Sequence, residues 1–455
     1  MFVKSKYTLE TNTAGGDLVI CNLLYKTKAI IPCNEHHLKN TYLQNAFEGT
    51  TLAEKLLIEN RFYVDSAADE TLVAEKAKEK ALIDRNRTLN LTIKPTVSCN
   101  LECIYCWEKS EQGLMTPQTA KNLVKFIDKK VSSADIDNLV INWFGGEPML
   151  AYDTIIQIMQ DVGKICKKNC VPYVGLMSTN GTLLTSEKIH LLLKHHVYSY
   201  QITLDGTKTI HDSCRPFKQK GKSSFDTIVK NLISIRDQTS NSYLEIIVRV
   251  NVTKDFIPVR KEFLDFYKFN FGRDKRFSLL LEDVTDKGGE RISSVKGEII
   301  NTDLNRDVLV EELLNEDIIQ HNFMNYTHGS MMCHIMLDNS YNINYDGTCY
   351  LCELLSDKGN TNSMNTVGKI NACGECFVDP HKVQIWRSAN DLPECSSCKL
   401  YPICCGGLCP LSKRNIQECR YVNNLETLYN SLRMLGKEGQ LKVLSINDEE
   451  ERAHE

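Results

Sequence analysis

Hydrophobic and polar positions along the chain change rhythm twice, at about residue 89 and again at about residue 286. Before the first change, two short β-like runs, Asp17–Leu24 and Lys28–Pro32, precede a helical pattern over Thr51–Asn60. A charged stretch from Glu70 to Arg87, with Glu75, Lys76, Lys78, Glu79 and Lys80, reads as a solvated helix face leading to a linker. From Leu89 onward, apolar runs fall at Leu89–Val97, Asn138–Phe144, Val171–Ser178, Tyr198–Leu204, Leu244–Val252 and Phe277–Glu282. Helical patterns separate them near Thr119–Lys130, Thr154–Lys167, Ser186–Lys194, Phe225–Arg236 and Ile257–Tyr267. Strands alternating with helices predict an α/β fold built on a parallel sheet that closes wholly or partly into a barrel. Function in such a fold collects at the carboxy-terminal ends of the strands. The polar, helix-like segment Gly288–Tyr326 carries no legible chemistry, and a helix over Asn424–Lys437 precedes an acidic end, Asn447–Glu455.

Composition sharpens this picture at one point. The 455 residues carry 54 basic and 58 acidic side chains, a formal charge of −4, so no global basic field invites nucleic acid. No apolar run approaches a membrane span, and the amino terminus lacks a secretory h-region, which predicts a cytoplasmic protein without a membrane partner. Cysteine stands out: of 19, 11 lie in the 87 residues from Cys333 to Cys419. In a chain without an export signal, this density predicts metal or redox chemistry in place of a disulfide framework.

The first strand runs into Ser98-Cys99-Asn100-Leu101-Glu102-Cys103-Ile104-Tyr105-Cys106-Trp107, a C-x3-C-x2-C loop. Three thiolates on a four-iron cluster leave one iron open to a substrate or cofactor. The alternative, a zinc loop, lacks a nearby fourth ligand. This loop resembles the signature of the radical S-adenosylmethionine (radical SAM) enzymes, with Tyr105 as the aromatic residue before the last cysteine. The resemblance extends over roughly residues 89–285. Gly145-Gly146-Glu147-Pro148 is similar to the family's GGEP motif and implies that Glu147 accepts the methionine ammonium. Ser178 and Asn180 after the third strand, Asp205 after the fourth, and Arg249 near the SAM carboxylate match further positions of the cofactor pocket. Taken singly, the later motifs read equally well as plain turns, and Arg249 as a structural ion-pair partner.

Farther on, Cys333, Gly347-x4-Cys352, Cys395-x2-Cys398-x5-Cys404, Cys409 and Cys419 resemble the SPASM module, which holds two auxiliary iron–sulfur clusters. The resemblance implies Cys333, Cys352 and Cys409 at one cluster and Cys395, Cys398, Cys404 and Cys419 at the other. Cys405 competes with Cys404, because three residues separate Cys405 from Cys409, the spacing usual in the family, whereas Cys404 keeps the five-residue gap from Cys398. The fourth position of the first cluster is either Cys349 or open. Cys373-x2-Cys376 has no place in this pattern and suits a zinc ribbon better.

The resemblance implies a partial (βα)6 TIM-like barrel over 89–285, a bridging region at 286–332, a SPASM domain at 333–425 and a helix with acidic tail at 426–455. It implies SAM and three [4Fe–4S] clusters as cofactors and a flavodoxin- or ferredoxin-type reductant. It also implies a 5′-deoxyadenosyl radical that modifies a precursor peptide, with a Cys thioether or a carbon–carbon cross-link as product. Residues 1–88 resemble the leader-binding domains of peptide maturases of the sactipeptide and ranthipeptide type. The alternative is an anaerobic sulfatase-maturating enzyme that oxidises Cys or Ser to formylglycine. Outside enzymes, the competing reading is a zinc-stapled binding scaffold.

Overall fold

The computed structural model describes residues 1–108, 112–284, 291–292, 297, 309, 313, 318, 328–353, 365–388, 395, 397–407, 425–437, 439 and 441–446. In chain order the amino-terminal part contains β1 (Phe2–Lys4), β2 (Thr8–Asn12), β3 (Leu18–Asn22), β4 (Thr27–Ile31) and α1 (His36–Tyr42). It continues through β5 (Ala46–Phe47), α2 (Leu52–Glu59), β6 (Tyr63–Asp65) and α3 (Glu70–Asn86). The strand–helix alternation follows as β7 (Thr88–Ile93), α4 (Pro117–Val131), β8 (Asn138–Trp143), α5 (Tyr152–Asn169), β9 (Tyr173–Thr179) and α6 (Ser186–Lys194). After these come β10 (Val197–Thr203), α7 (Lys208–Cys214), α8 (Ser224–Gln238), β11 (Glu245–Val252), α9 (Phe256–Asn270) and β12 (Phe277–Asp283). The last third supplies β13 (Ser340–Ile343), β14 (Thr348–Tyr350), β15 (Thr366–Lys369), α10 (Pro380–Arg387), α11 (Tyr401–Cys404), α12 (Leu425–Lys437) and β16 (Lys442–Val443).

Strands β7 to β12 lie side by side in sequence order and pair in parallel. Their registers place Leu91 beside Ile141 and Ile202 beside Val248, so apolar rows face the helices. Trp143, Ile141, Val248, Val250 and Phe263 are fully buried in one continuous core. Local signals start the helices where the sequence predicts them: Thr116 caps α4 ahead of Pro117, and Thr185 and Ser223 cap α6 and α8.

Contacts divide the chain into two compact units. One holds Met1–Arg85, Asn322–Leu337 and Trp386–Glu455; the other holds Asn86–His321 and Asp338–Ile385. The cysteine-rich third is thus split. β13 pairs in parallel with β7, Ile343 beside Ile93, and carries β14 and β15 onto the barrel sheet. In the other unit, Leu428 and Leu432 of α12 bury against Leu9 and Val19, and β16 pairs in parallel with β4. Sequence distance hides such partners. The predicted helical segment 288–326 lies almost wholly outside the described residues. No helix among the described residues is long and apolar enough to cross a membrane.

Candidate functional site

At the carboxy-terminal ends of β7 to β11 lies a cavity of about 410 Å³, within the range that takes a small ligand or cofactor. Cys99, Cys103, Tyr105, Cys106, Gly145, Gly146, Ser178, Asn180 and Arg249 all line it. The structure therefore brings together nine of the site residues read from the sequence, from four separate stretches of chain.

Backbone geometry explains the two glycines. A Cβ on Gly145, whose φ is +114°, would stand 2.4 Å from the Thr96 carbonyl oxygen, and one on Gly146 would stand 2.4 Å from that of Ser98. The N–H groups of Gly146 and Glu147 donate to Thr96 and Ser98 at 3.2 and 2.9 Å. The turn after β8 is thereby fastened to the start of the cysteine loop, an approach that only glycine permits. From β9, the Asn180 side-chain amide donates to Asn100 Oδ1 at 2.8 Å and to Cys99 Sγ at 3.8 Å. Burial pushes the Cys99 and Cys103 thiols up to about 11 and raises Cys106 as well, so iron would enter by displacing protons. Among the described residues, no three His, Cys, Asp or Glu side chains converge on one point as a single metal ion requires.

Two residues assigned to the cofactor do not reach the cavity. Glu147 is fully buried, and its carboxylate accepts from Thr179 Oγ1 (2.6 Å) and the N–H groups of Asn180 (2.7 Å) and Met149 (3.0 Å). Burial raises its pKa against these hydrogen bonds. In this structure its carboxylate faces Thr179 and the Asn180 backbone, and so positions Asn180, instead of lining the cavity. Asp205, 1 % exposed, accepts from the Asn251 N–H at 2.8 Å, the Asn251 side-chain amide at 3.1 Å and the Tyr105 hydroxyl. It too sits one layer behind the wall.

Sequence reading missed Arg215. Its Nη1 donates to Tyr105 at 2.9 Å and lies 3.9 Å from Asp205, while its buried Nε has no hydrogen-bond partner. A guanidinium on the cavity wall with an unused donor suits a carboxylate. The nearby acids hold it charged, its pKa raised despite burial. Arg249, by contrast, donates from Nε to Asn251 at 2.9 Å. Also missed was a wall of Trp107 and Phe144, stacked at 6.3 Å, with the buried Lys94–Glu108 pair (2.8 Å) beside it and Lys94 5.0 Å from the indole ring. The position of Trp107 directly after Cys106 was the available clue.

Residues 93–259 match the model of the radical SAM superfamily. The chain carries a radical SAM domain. It shares 25% identity over 354 residues with a cysteine-type anaerobic sulfatase-maturating enzyme of Clostridium novyi, covering 70% of this chain and 88% of that one. With a serine-type anaerobic sulfatase-maturating enzyme of Bacteroides thetaiotaomicron it shares 28% over 157 residues, 32% of this chain and 36% of that one. The solved structure of native anSMEcpe with bound AdoMet and Kp18Cys peptide superposes at a TM-score of 0.56. That match has 18% identity and covers 78% of this chain and all of the other. The expected barrel is confirmed, and this radical SAM enzyme works with SAM and a [4Fe–4S] cluster. The donor set fits both: three thiols and a glycine cradle line the cavity, with the guanidinium of Arg215 beside them.

The carboxy-terminal cysteines are described only in part; Cys409 and Cys419 lie outside the described residues. In the first unit, half-buried Cys398 packs against the apolar cluster that contains Cys404, whereas Cys405 packs with Met332 and Leu337. Cys333 belongs to this unit and Cys352 to the other.

Proposed function

We propose that this radical SAM enzyme is a peptide maturase, forming a Cys thioether or a carbon–carbon link in a ribosomally made precursor. The carrying observation is the cavity at the strand ends, where the three cysteines, the glycine turn and Arg215 meet. A SAM-bound cluster supplies the hydrogen-abstracting chemistry there. Cys99, Cys103 and Cys106 hold the iron; Gly145 and Gly146 admit the methionine moiety; Arg215 and Arg249 take its carboxylate. Ser178, Asn180 and Tyr105 line the remaining wall, with Glu147 and Asp205 fixing them from behind.

Two auxiliary clusters, on Cys333, Cys352 and Cys409 and on Cys395, Cys398, Cys404 and Cys419, complete the reading and bring the total to three. They relay an electron from the modified peptide, and a flavodoxin- or ferredoxin-type protein supplies the reducing electron. The packing of Cys398 with the Cys404 cluster supports Cys404 over Cys405. Residues 1–85, outside the barrel unit, take the leader of the precursor by adding it to a sheet edge.

Similarity to the Clostridium novyi enzyme over 88% of its length favours a second reading, oxidation of a sulfatase Cys to formylglycine. Mass spectrometry separates them. Full-length enzyme, reconstituted and reduced, is given SAM with either a short Cys-containing peptide encoded beside its gene or a sulfatase-derived Cys peptide. The maturase reading expects a two-hydrogen loss and an alkylation-resistant Cys in the first. An aldehyde on the second, with the first unchanged, replaces it.

A further inference from the structure

Two cysteines outside the ten assigned to the clusters stand sulfur to sulfur. Cys349 on β14 and Cys376, which bridges back to Ile370 after β15, have their Sγ atoms 3.1 Å apart although 27 residues separate them in sequence. Cys349 is fully buried among Ile343, Val367 and Ile370; Cys376 is half-buried at the rim of that core, and Cys373 beside it is exposed. The hairpin holding Cys376 is rigid: Asn371 Oδ1 accepts from the N–H groups of Cys373 and Glu375, both at 2.9 Å. A Cβ on Gly368 would come within 3.0 Å of the Cys376 sulfur, so glycine at this position makes room for the thiol beside Cys349.

We propose that Cys349 and Cys376 form a redox-active dithiol that closes to a disulfide by exchange with a small-molecule disulfide. Cys376 is the attacking thiol, since it alone of the pair reaches solvent. Its thiolate displaces one thiol from the small disulfide and forms a mixed disulfide. Cys349 then gives up its proton, attacks the Cys376 sulfur and releases the second thiol. Two protein thiols and one small disulfide become one protein disulfide and two small thiols, with no other oxidant required. Electrostatics favour this order. Lys130 lies near Cys376 and would stabilise its thiolate, whereas Cys349 is enclosed in the apolar core. The bond would staple the chain between the two positions, the stretch that includes the candidate cluster ligand Cys352.

Anaerobically reconstituted full-length enzyme is treated with oxidised glutathione, acid-quenched, alkylated with N-ethylmaleimide and mapped by mass spectrometry. The expected product links Cys349 to Cys376. In Cys349→Ala, glutathione stays on Cys376; in Cys376→Ser, modification of Cys349 slows by about 10-fold or more, because the buried thiol has lost its exposed partner. Iron per chain is unchanged in the Cys349→Ala/Cys376→Ser double variant. A Cys373–Cys376 link, glutathione retained on wild-type Cys376, or iron lost from the double variant overturns the proposal.

Discussion

Around the barrel cavity, every functional side chain but Arg215 sits at a strand end or in the loop after β7, and its neighbours along the sheet fix where it points. The cysteines at 395–405 are placed otherwise. They sit in short turns, with the Cys398 N–H donating to Cys395 at 3.2 Å and α11 packed into the core made by Leu9, Val19 and Leu432. The first arrangement is set by parallel register, so single changes act locally. The second depends on chain hundreds of residues away, so it fails or holds as a unit. Substitutions that tell local from distributed construction therefore test the reading most directly.

Replacing Cys99, Cys103 and Cys106 together with Ala should have the largest effect. Production of 5′-deoxyadenosine is expected to vanish, and iron to fall by about a third if three four-iron clusters load. The paired change Cys395→Ala/Cys398→Ala should remove iron of the same order yet leave SAM cleavage in place. Nucleoside assays and iron analysis on the two variants decide it; SAM cleavage surviving in the first would sink the site assignment.

Arg215 comes next. Arg215→Ala strips the buried Asp205 of its cation, a change worth about 3–5 kcal/mol when a buried pair is broken. It also removes a cation from the cavity wall. SAM affinity measured by calorimetry should fall by about 100-fold or more. Arg215→Lys keeps a charge but not the forked donor geometry and should recover only part of it. Undiminished affinity in the Ala variant would make Arg215 purely structural.

Glu147 sharpens the distinction between wall and support. Because its carboxylate holds Asn180 and Thr179, Glu147→Ala leaves buried donors unmet, at about 1–3 kcal/mol. Glu147→Gln keeps an acceptor oxygen and should lose less than the Ala variant in both thermal stability and SAM affinity. If affinity tracks the lost charge alone, with both variants equally weak and stability untouched, the carboxylate meets the cofactor after all.

The barrel was legible because its strands are long enough to show a period and its motifs follow them directly. All six strands and the five predicted helices appear within a few residues of their expected bounds, and ranges such as Ser186–Lys194 coincide. The strands β1, β5 and β6 span two or three residues, too short for alternation to register, and α7 is a seven-residue helix whose polar face dominates. Within the site, the motif residues were read, but their depth was not. Sequence gives Glu147 and Asp205 a place at a strand end without saying whether the carboxylate turns toward the cavity or behind it. Arg215 escaped because it lies past α7, away from any strand end.

His211 offers the smallest and most specific effect. It is fully buried in the layer behind the cavity, stacked edge-on at 5.7 Å to Phe225, and its Nδ1 accepts from the Asp205 N–H at 3.1 Å. Burial, helped by the charge on Arg215, holds its pKa well below 6.5. The folded protein thus keeps His211 neutral where the unfolded chain protonates it. The stability this contributes is complete above pH 6.5 and is lost as pH falls from there toward the folded-state value. At pH 5.5 the loss is about 1.4 kcal/mol relative to pH 7.5, since one unit of pH below the unfolded pKa shifts the balance by that amount. His211→Asn retains an acceptor for the Asp205 N–H and removes the titration. The difference in urea stability between wild type and variant, both cluster-loaded, should therefore shrink as pH falls from 7.5 to 5.5. Parallel pH profiles for the two proteins would show that His211 titrates normally and that the layer behind the cavity is wetter than its packing implies.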